Sequence, residues 1–159
     1  MTDISAVDPA RVAADAANPE VAQVMRDEVV FCLPSTPLDA VAKLMADNAL
    51  VEIPVLIDQR PIGYVRSADV LDQLVEGNLQ LSGSDLVRQQ HVSVLARDIL
   101  RTPPLLVDEH MQLGEALAVM RQQGRQTALV THDDERPVGL VTVREIAAHA
   151  LRQGGVAGG

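Results

Sequence analysis

The stretch Ile53-Pro54-Val55-Leu56-Ile57, Asp58, Pro61-Ile62-Gly63-Tyr64-Val65 returns further on as Ala128-Leu129-Val130-Thr131-His132, Asp133, Pro137-Val138-Gly139-Leu140-Val141. Each is preceded by a matching helical pattern, Leu38-x-x-Val41-x-x-x-Met45 and Leu113-x-x-Ala116-x-x-x-Met120. The offset is 75 at Leu38/Leu113, Met45/Met120 and Asp58/Asp133, and becomes 76 at Pro61/Pro137 and Gly63/Gly139. One residue is therefore inserted between the paired strands, in the turn. The chain is one small unit used twice, and a repeat of that kind decides the architecture before any local motif does.

Working outward from the first copy, residues 29–33 are apolar throughout and predict a short buried strand containing Cys32. Pro34-Ser35-Thr36-Pro37 breaks it, with Thr36 as the expected cap of the next helix and Pro37 at its first position. Leu38, Val41, Ala42, Leu44, Met45 and Ala49 form the apolar side of that helix, and Asp39, Lys43 and Asp47 face water. Residues 53–57 and 62–65 predict a hairpin. Ser67-Ala68-Asp69 opens a last helix with Val70, Leu71 and Leu74 inward. Upstream, Asn18-Pro19-Glu20 reads as a helix cap before Val21, Val24 and Met25, whose counterparts are Val94, Leu95, Ile99 and Leu100.

The second copy predicts a strand at 105–107, a helix at 113–121 ended by Gly124, strands at 128–132 and 138–141, and a helix at 143–151. The fold class is α+β, two β-α-β-β-α repeats. Helices on one side of so small a sheet leave its other face apolar, and the second copy is the natural cover. The expected organisation is a flexible segment 1–18, in which 12–17 could form a helical turn, repeat 1 over 19–75 and repeat 2 over 93–151. The linker over 76–92 is loop-like at first and helical at 85–90, and a flexible tail covers 152–159.

Composition narrows function. Thirteen Lys plus Arg against 22 Asp plus Glu give a net charge of −9, which argues against a nucleic-acid surface. A single cysteine precludes an intrachain disulfide and a cysteine-built metal site. No run of 18 apolar residues is present, so no direct membrane insertion is expected, and the chain reads as cytoplasmic or as the soluble piece of a longer membrane protein. His91, His110, His132 and His149 follow no metal-binding spacing, no GxSxG, P-loop or GxGxxG occurs, and no catalytic or metal residue is expected. Asp133-Asp134-Glu135 reads as a solvated turn.

The informative places are the two strand-to-helix junctions, 63–69 and 139–145. Free amides at a helix N-terminus favour an anionic group, and an acid there can accept hydrogen bonds from sugar hydroxyls. Capping competes: Thr142-x-x-Glu145 is a capping box, and Ser67 can cap with Asp69 in the first turn.

The pieces Val24-Met25, Leu38-x-x-Val41-x-x-x-Met45, Ile53-Pro54-Val55 and Gly63-x-Val65-x-x-x-Asp69 resemble a CBS domain. So do Ile99-Leu100, Leu113-x-x-Ala116-x-x-x-Met120, Ala128-Leu129-Val130 and Gly139-x-Val141-Thr142-x-x-Glu145, making the chain similar to a tandem CBS pair, or Bateman module. The resemblance implies two copies packed through their sheets about a pseudo-twofold axis, with clefts that bind adenine nucleotides, and pairing into homodimers. It implies a non-catalytic regulatory module, with AMP, ADP or ATP (with or without Mg²⁺) or S-adenosylmethionine as ligand and no required cofactor.

Carried over, Asp69 is the ribose residue with Ser67 beside it, Thr142 keeps the hydroxyl position, and Arg144 reaches phosphate. Arg66 stands in place of the usual Thr and Glu145 in place of the usual Asp, which ranks the Asp69 cleft first. Val29 and Val30, or Leu105 and Leu106, are expected to line adenine. The second copy also resembles the CBS region of CorC/CNNM-type magnesium and cobalt transport proteins, through Leu100-Arg101-x-Pro103-Pro104-Leu105-Leu106-Val107 and Gly139-Leu140-Val141-Thr142. The alternatives are an interaction module whose clefts hold no physiological ligand, and a cytosolic fragment of such a transporter.

Overall fold

A computed structural model describes residues 18–81, 94–133 and 136–157, with side chains omitted at 77–81 and 154–157. The turn at 12–17, the helix at 85–90 and most of the Asp133-Asp134-Glu135 turn lie outside the described residues. Repeat 1 contains α1 (Leu38–Asp47), β1 (Glu52–Ile57), β2 (Arg60–Arg66) and α2 (Ser67–Leu81). Repeat 2 contains β3 (Leu106–Asp108), α3 (Leu113–Gln122), β4 (Thr127–His132), β5 (Arg136–Thr142) and α4 (Val143–Ala157).

Both hairpins form as the pattern requires. β1 pairs antiparallel with β2, and β4 with β5, each with a register shift that leaves Ile62 and Val138 as extra residues. Asp58 and Gln59 turn the first hairpin with φ of 49° and 64°, the twist a two-residue connection needs. Five successive residues of β1 (52–56) and five of β4 (127–131) are buried. Continuous burial means that both faces of each strand are covered, one by helices and the other by the opposite repeat. Leu129 and Leu140 of repeat 2 accordingly join Ile53, Val55 and Val65 in one core.

The first strand of repeat 1 is a correction. In repeat 2 the Leu129 amide donates to the Leu105 carbonyl (3.0 Å) and β3 pairs parallel with β4. The residue matching Leu129 is Pro54, which has no amide to give. Only a single bridge survives, Cys32 with Val55, through Cys32 N–H to Pro54 O and Leu56 N–H to Cys32 O, both 3.0 Å. Burial alternates there: Val30 and Cys32 are inside, whereas Phe31 and Leu33 are exposed. Burial raises the Cys32 thiol pKa to about 11.

Other expectations shift. Thr36 does not cap α1; its hydroxyl accepts from the Leu33 amide (2.9 Å), and Pro37 is the cap residue. Leu71 points to solvent rather than inward, and Ala49 lies past the end of α1, exposed. α2 continues through Gly77 and Asn78 to Leu81, and α4 runs to Ala157, beyond the expected start of the tail. Strand β3 sits one residue later than predicted. Gly124 follows α3 with φ 63°, as a C-terminal glycine should, and its counterpart Ala49 adopts the same left-handed conformation at φ 53°.

The segment before each repeat crosses over. Val21–Gln23 is a short 3₁₀ turn packed in the core of repeat 2, and Ala96–Asp98 is its counterpart on repeat 1. Asn18 does not cap its own turn; its Oδ1 accepts from the Gly114 amide (2.6 Å) and so caps α3 of the other repeat. Leu113 N–H donates to Pro19 O, while Leu38 N–H donates to Val94 O. This reciprocity is what an approximate twofold axis between the repeats produces.

Candidate functional site

The crossing segments bring an arginine to each strand-to-helix junction. Arg101 exchanges backbone hydrogen bonds with Tyr64 of β2, both 2.9 Å, and Arg26 does the same with Leu140 of β5, at 2.7 and 3.0 Å. Glycine is required beside each contact: a Cβ on Gly63 would stand 2.4 Å from Arg101 O, and one on Gly139 2.4 Å from Arg26 O. The glycines of the Gly-x-Val motif thus admit the partner repeat's backbone.

From there each guanidinium reaches the acid in the first turn of the following helix. Arg101 grips Asp69 through two bonds, Nε to Oδ2 at 2.6 Å and Nη2 to Oδ1 at 3.1 Å. Arg26 donates through Nε to Glu145 and through Nη1 to the Asn48 carbonyl. Arg26 and Arg101 are 75 residues apart, the repeat offset, yet neither stands out in the sequence alone.

The two acids differ in what remains free. Glu145 closes the capping box: one oxygen accepts from the Thr142 amide (3.0 Å) and the Thr142 hydroxyl, while the other accepts from Arg26. Thr142 Oγ1 in turn accepts from the Arg144 amide at 3.1 Å, and Thr142 is buried. Burial pushes the Glu145 pKa up, but the bonds from Thr142, Arg26 and the backbone outweigh it and leave the carboxyl below its ordinary range.

Three residues before Asp69 stands Arg66, where the second junction has Thr142, and both described hydrogen bonds of Asp69 go to Arg101. Those bonds, with Arg66 adding its charge, hold Asp69 below the usual carboxylate range. A carboxylate offers about four acceptor sites, so a fork from arginine leaves about two for a vicinal diol. The Asp69 side chain opens onto a pocket of ≈ 380 Å³ lined also by Asp72, Gln73, Ile99, Leu100 and Arg101.

The other expected residues are dispersed. Ser67 is half-buried beside this junction, its amide donating to Val51 O (2.8 Å). Arg144 is exposed at the opposite junction. Val30 belongs to the first core and Leu105 to the second, and Leu106 is partly exposed. The apolar wall of the Asp69 pocket is instead Ile99 and Leu100.

One further polar contact fixes the repeats against each other. Arg125 Nε donates to Glu52 Oε1 (3.0 Å), which also accepts from the amides of Gln126 and Thr127, both 3.1 Å. Both side chains are buried, and the guanidinium lies 3.2 Å from the centre of the Tyr64 ring. The pair has no counterpart at the repeat offset, where Thr127 and Leu50 stand.

The reciprocal crossing, paired hairpins and twin junctions agree with the family model described as the CBS domain, which matches residues 21–76 and again 96–152. The chain belongs to the CBS-domain family. As two CBS repeats it is a non-catalytic module. It is 26% identical over 137 residues to an uncharacterised 33.4 kDa protein in a ribosomal RNA operon of Thermofilum pendens, covering 86% of this chain and 45% of that protein. The chain spans about half the length of the curated relatives it matches.

Among solved structures it is similar to CBSX2 in complex with AMP, with TM-score 0.64 and 22% identity over 84% of this chain and 96% of that one. It is equally similar in fold to the CBS domain of a bacterial CNNM/CorC family Mg²⁺ transporter in complex with ATP, with TM-score 0.66 and 19% identity over 89% and 94% of the two chains. Among the described residues no helix is long and apolar enough to cross a membrane.

Proposed function

We propose that this CBS pair is a regulatory module that binds an adenine nucleotide or related adenosine ligand at the Asp69 junction and signals by a change in the arrangement of its repeats. The observation that carries the proposal is the half-used Asp69 carboxylate, held by Arg101 at the mouth of a pocket. A ribose diol would take the remaining acceptor sites, adenine would pack on Ile99 and Leu100, and Arg101 and Arg66 would face the phosphates. With one Phe, one Tyr and no Trp in the chain, aliphatic packing replaces stacking. The AMP and ATP complexes of the two structural relatives support the ligand class.

The Glu145 junction, its acid consumed by Thr142 and Arg26, is the weaker site. Arg101 belongs to repeat 2 and Asp69 to repeat 1, so a ligand that touches both while their ion pair stays closed favours one spacing of the repeats over another, the condition for signalling. The protein acts as a cytoplasmic homodimer, alone or within a longer chain. Leu71 and Val75, one helical turn apart on α2, and Val143 and Leu151 on α4 are exposed apolar residues suited to a helical dimer face.

Calorimetric titration with AMP, ADP, ATP with and without Mg²⁺, and S-adenosylmethionine tests the reading. Micromolar binding of one ligand, weakened at least tenfold by Asp69→Ala, is expected. Flat titrations on folded, ligand-free protein would leave an interaction module instead.

A further inference from the structure

Away from both junctions, Glu109, His110 and His132 bring a carboxylate oxygen and two imidazole nitrogens within 4.8 Å of one another. We propose that these three residues form a binding site for a divalent transition metal of the zinc class. Sequence spacing hides the site because its parts come from neighbouring strands. β3 and β4 run parallel with Asp108 opposite Thr131, so the residues just after β3 lie beside His132 at the end of β4. The Glu109 amide donates to Thr131 O (3.0 Å), fixing that juxtaposition, and the His110 amide donates to Asp108 Oδ1 (2.9 Å).

The orientation of the rings is the second observation. His132 turns Nδ1 to Glu109 and has Nε2 3.2 Å from Asp133 Oδ2. His110 turns Nε2 to Glu109 at 3.4 Å and Nδ1 to Glu20 Oε2 at 3.1 Å. Each imidazole therefore presents one nitrogen to a shared centre while a separate carboxylate stands beside the other, Glu20 hydrogen-bonded to His110 and Asp133 within ion-pair distance of His132. That is the arrangement by which histidine ligands are oriented and made more basic toward a metal.

Two imidazoles and one carboxylate suit zinc, cobalt or nickel rather than magnesium, which prefers an all-oxygen shell. In a tetrahedral zinc site, ligand atoms about 2.0–2.2 Å from the metal lie roughly 3.3–3.5 Å apart, within reach of small rotations of these side chains. The histidine side chains are 62% and 43% exposed, so a metal has a path in and water can complete its coordination. Glu20 belongs to the crossing segment, and the Ala22 amide donates to Glu109 O (2.9 Å), so an occupied site would pin that segment to repeat 2.

The test uses the full chain after chelator treatment, titrated with Zn²⁺ by calorimetry and with Co²⁺ by visible absorption, with Mg²⁺ as the oxygen-preferring control. One equivalent of Zn²⁺ and intense tetrahedral Co²⁺ bands are expected, with no matching Mg²⁺ isotherm. His110→Ala and His132→Ala, shown folded by circular dichroism, should each weaken Zn²⁺ at least a hundredfold. Glu20→Gln should weaken it about tenfold, and His149→Ala should leave it unchanged. An isotherm that survives both the His110 and the His132 substitution, or no Zn²⁺ binding at all by the unmodified chain, overturns the proposal.

Discussion

Replacing Arg125 by alanine tests how the two repeats are held together. The guanidinium and the Glu52 carboxylate are side chains 6% and 4% exposed, one from each repeat. The substitution leaves Glu52 charged, buried and served only by the amides of Gln126 and Thr127. Stranding one member of a buried ion pair costs about 3–5 kcal/mol, and loss of the cation over Tyr64 falls within that sum. With a urea m-value of about 2 kcal/mol/M for a domain of this size, the midpoint should fall by roughly 1.5–2.5 M.

The companion variant Glu52→Gln/Arg125→Met removes both charges while keeping most of the volume. It should recover more than half of the loss, because an apolar or neutral filling removes the penalty that the single variant creates. Urea unfolding followed by far-ultraviolet circular dichroism reads both. A loss below about 1 kcal/mol in Arg125→Ala, or a double variant as unstable as Arg125→Ala, would refute the reasoning.

Three further outcomes follow from the geometry. Ala49→Gly should raise stability by about 0.5–1 kcal/mol in the same unfolding assay, since Ala49 holds a φ of 53° that glycine adopts freely. Asn18→Ala should cost about 1 kcal/mol by uncapping α3, and should speed hydrogen exchange at the Gly114 amide. The Asp69 carboxyl has its folded pKa depressed, so the Asp69–Arg101 contact stabilises above the unfolded value and is lost as pH falls through the folded one. Arg101→Ala should therefore lie below the parent protein in stability above about pH 5 and converge with it only as pH falls through the depressed folded pKa of Asp69.

The hairpins, their helices and the need for a second copy were legible because apolar periodicity and turn residues are local signals. The apolar run 29–33 predicts a full strand where only one bridge forms, because periodicity does not register that Pro54 withholds a ladder amide. What Asn18, Arg26 and Arg101 bind is hidden for a different reason: each acts on the opposite repeat. Asn18 carries a genuine capping signal but applies it to α3 rather than to the turn beside it. The Thr142–Glu145 capping box is a local signal and forms as the sequence predicts, whereas the ranking of Asp69 first rests on the resemblance, through Glu145 standing in place of the usual Asp. The fork from Arg101 required the crossing segments to be in place. The Glu52–Arg125 pair, absent from any repeat-level pattern, required the packing of one sheet on the other.

The most direct measurement is amide chemical-shift mapping of the folded chain as the best-binding adenine nucleotide is added. The account predicts saturable shifts at Arg66–Asp69 and Ile99–Arg101, while Thr142–Glu145 stays largely still. Shifts confined to Thr142–Glu145, or none at either junction, would contradict it.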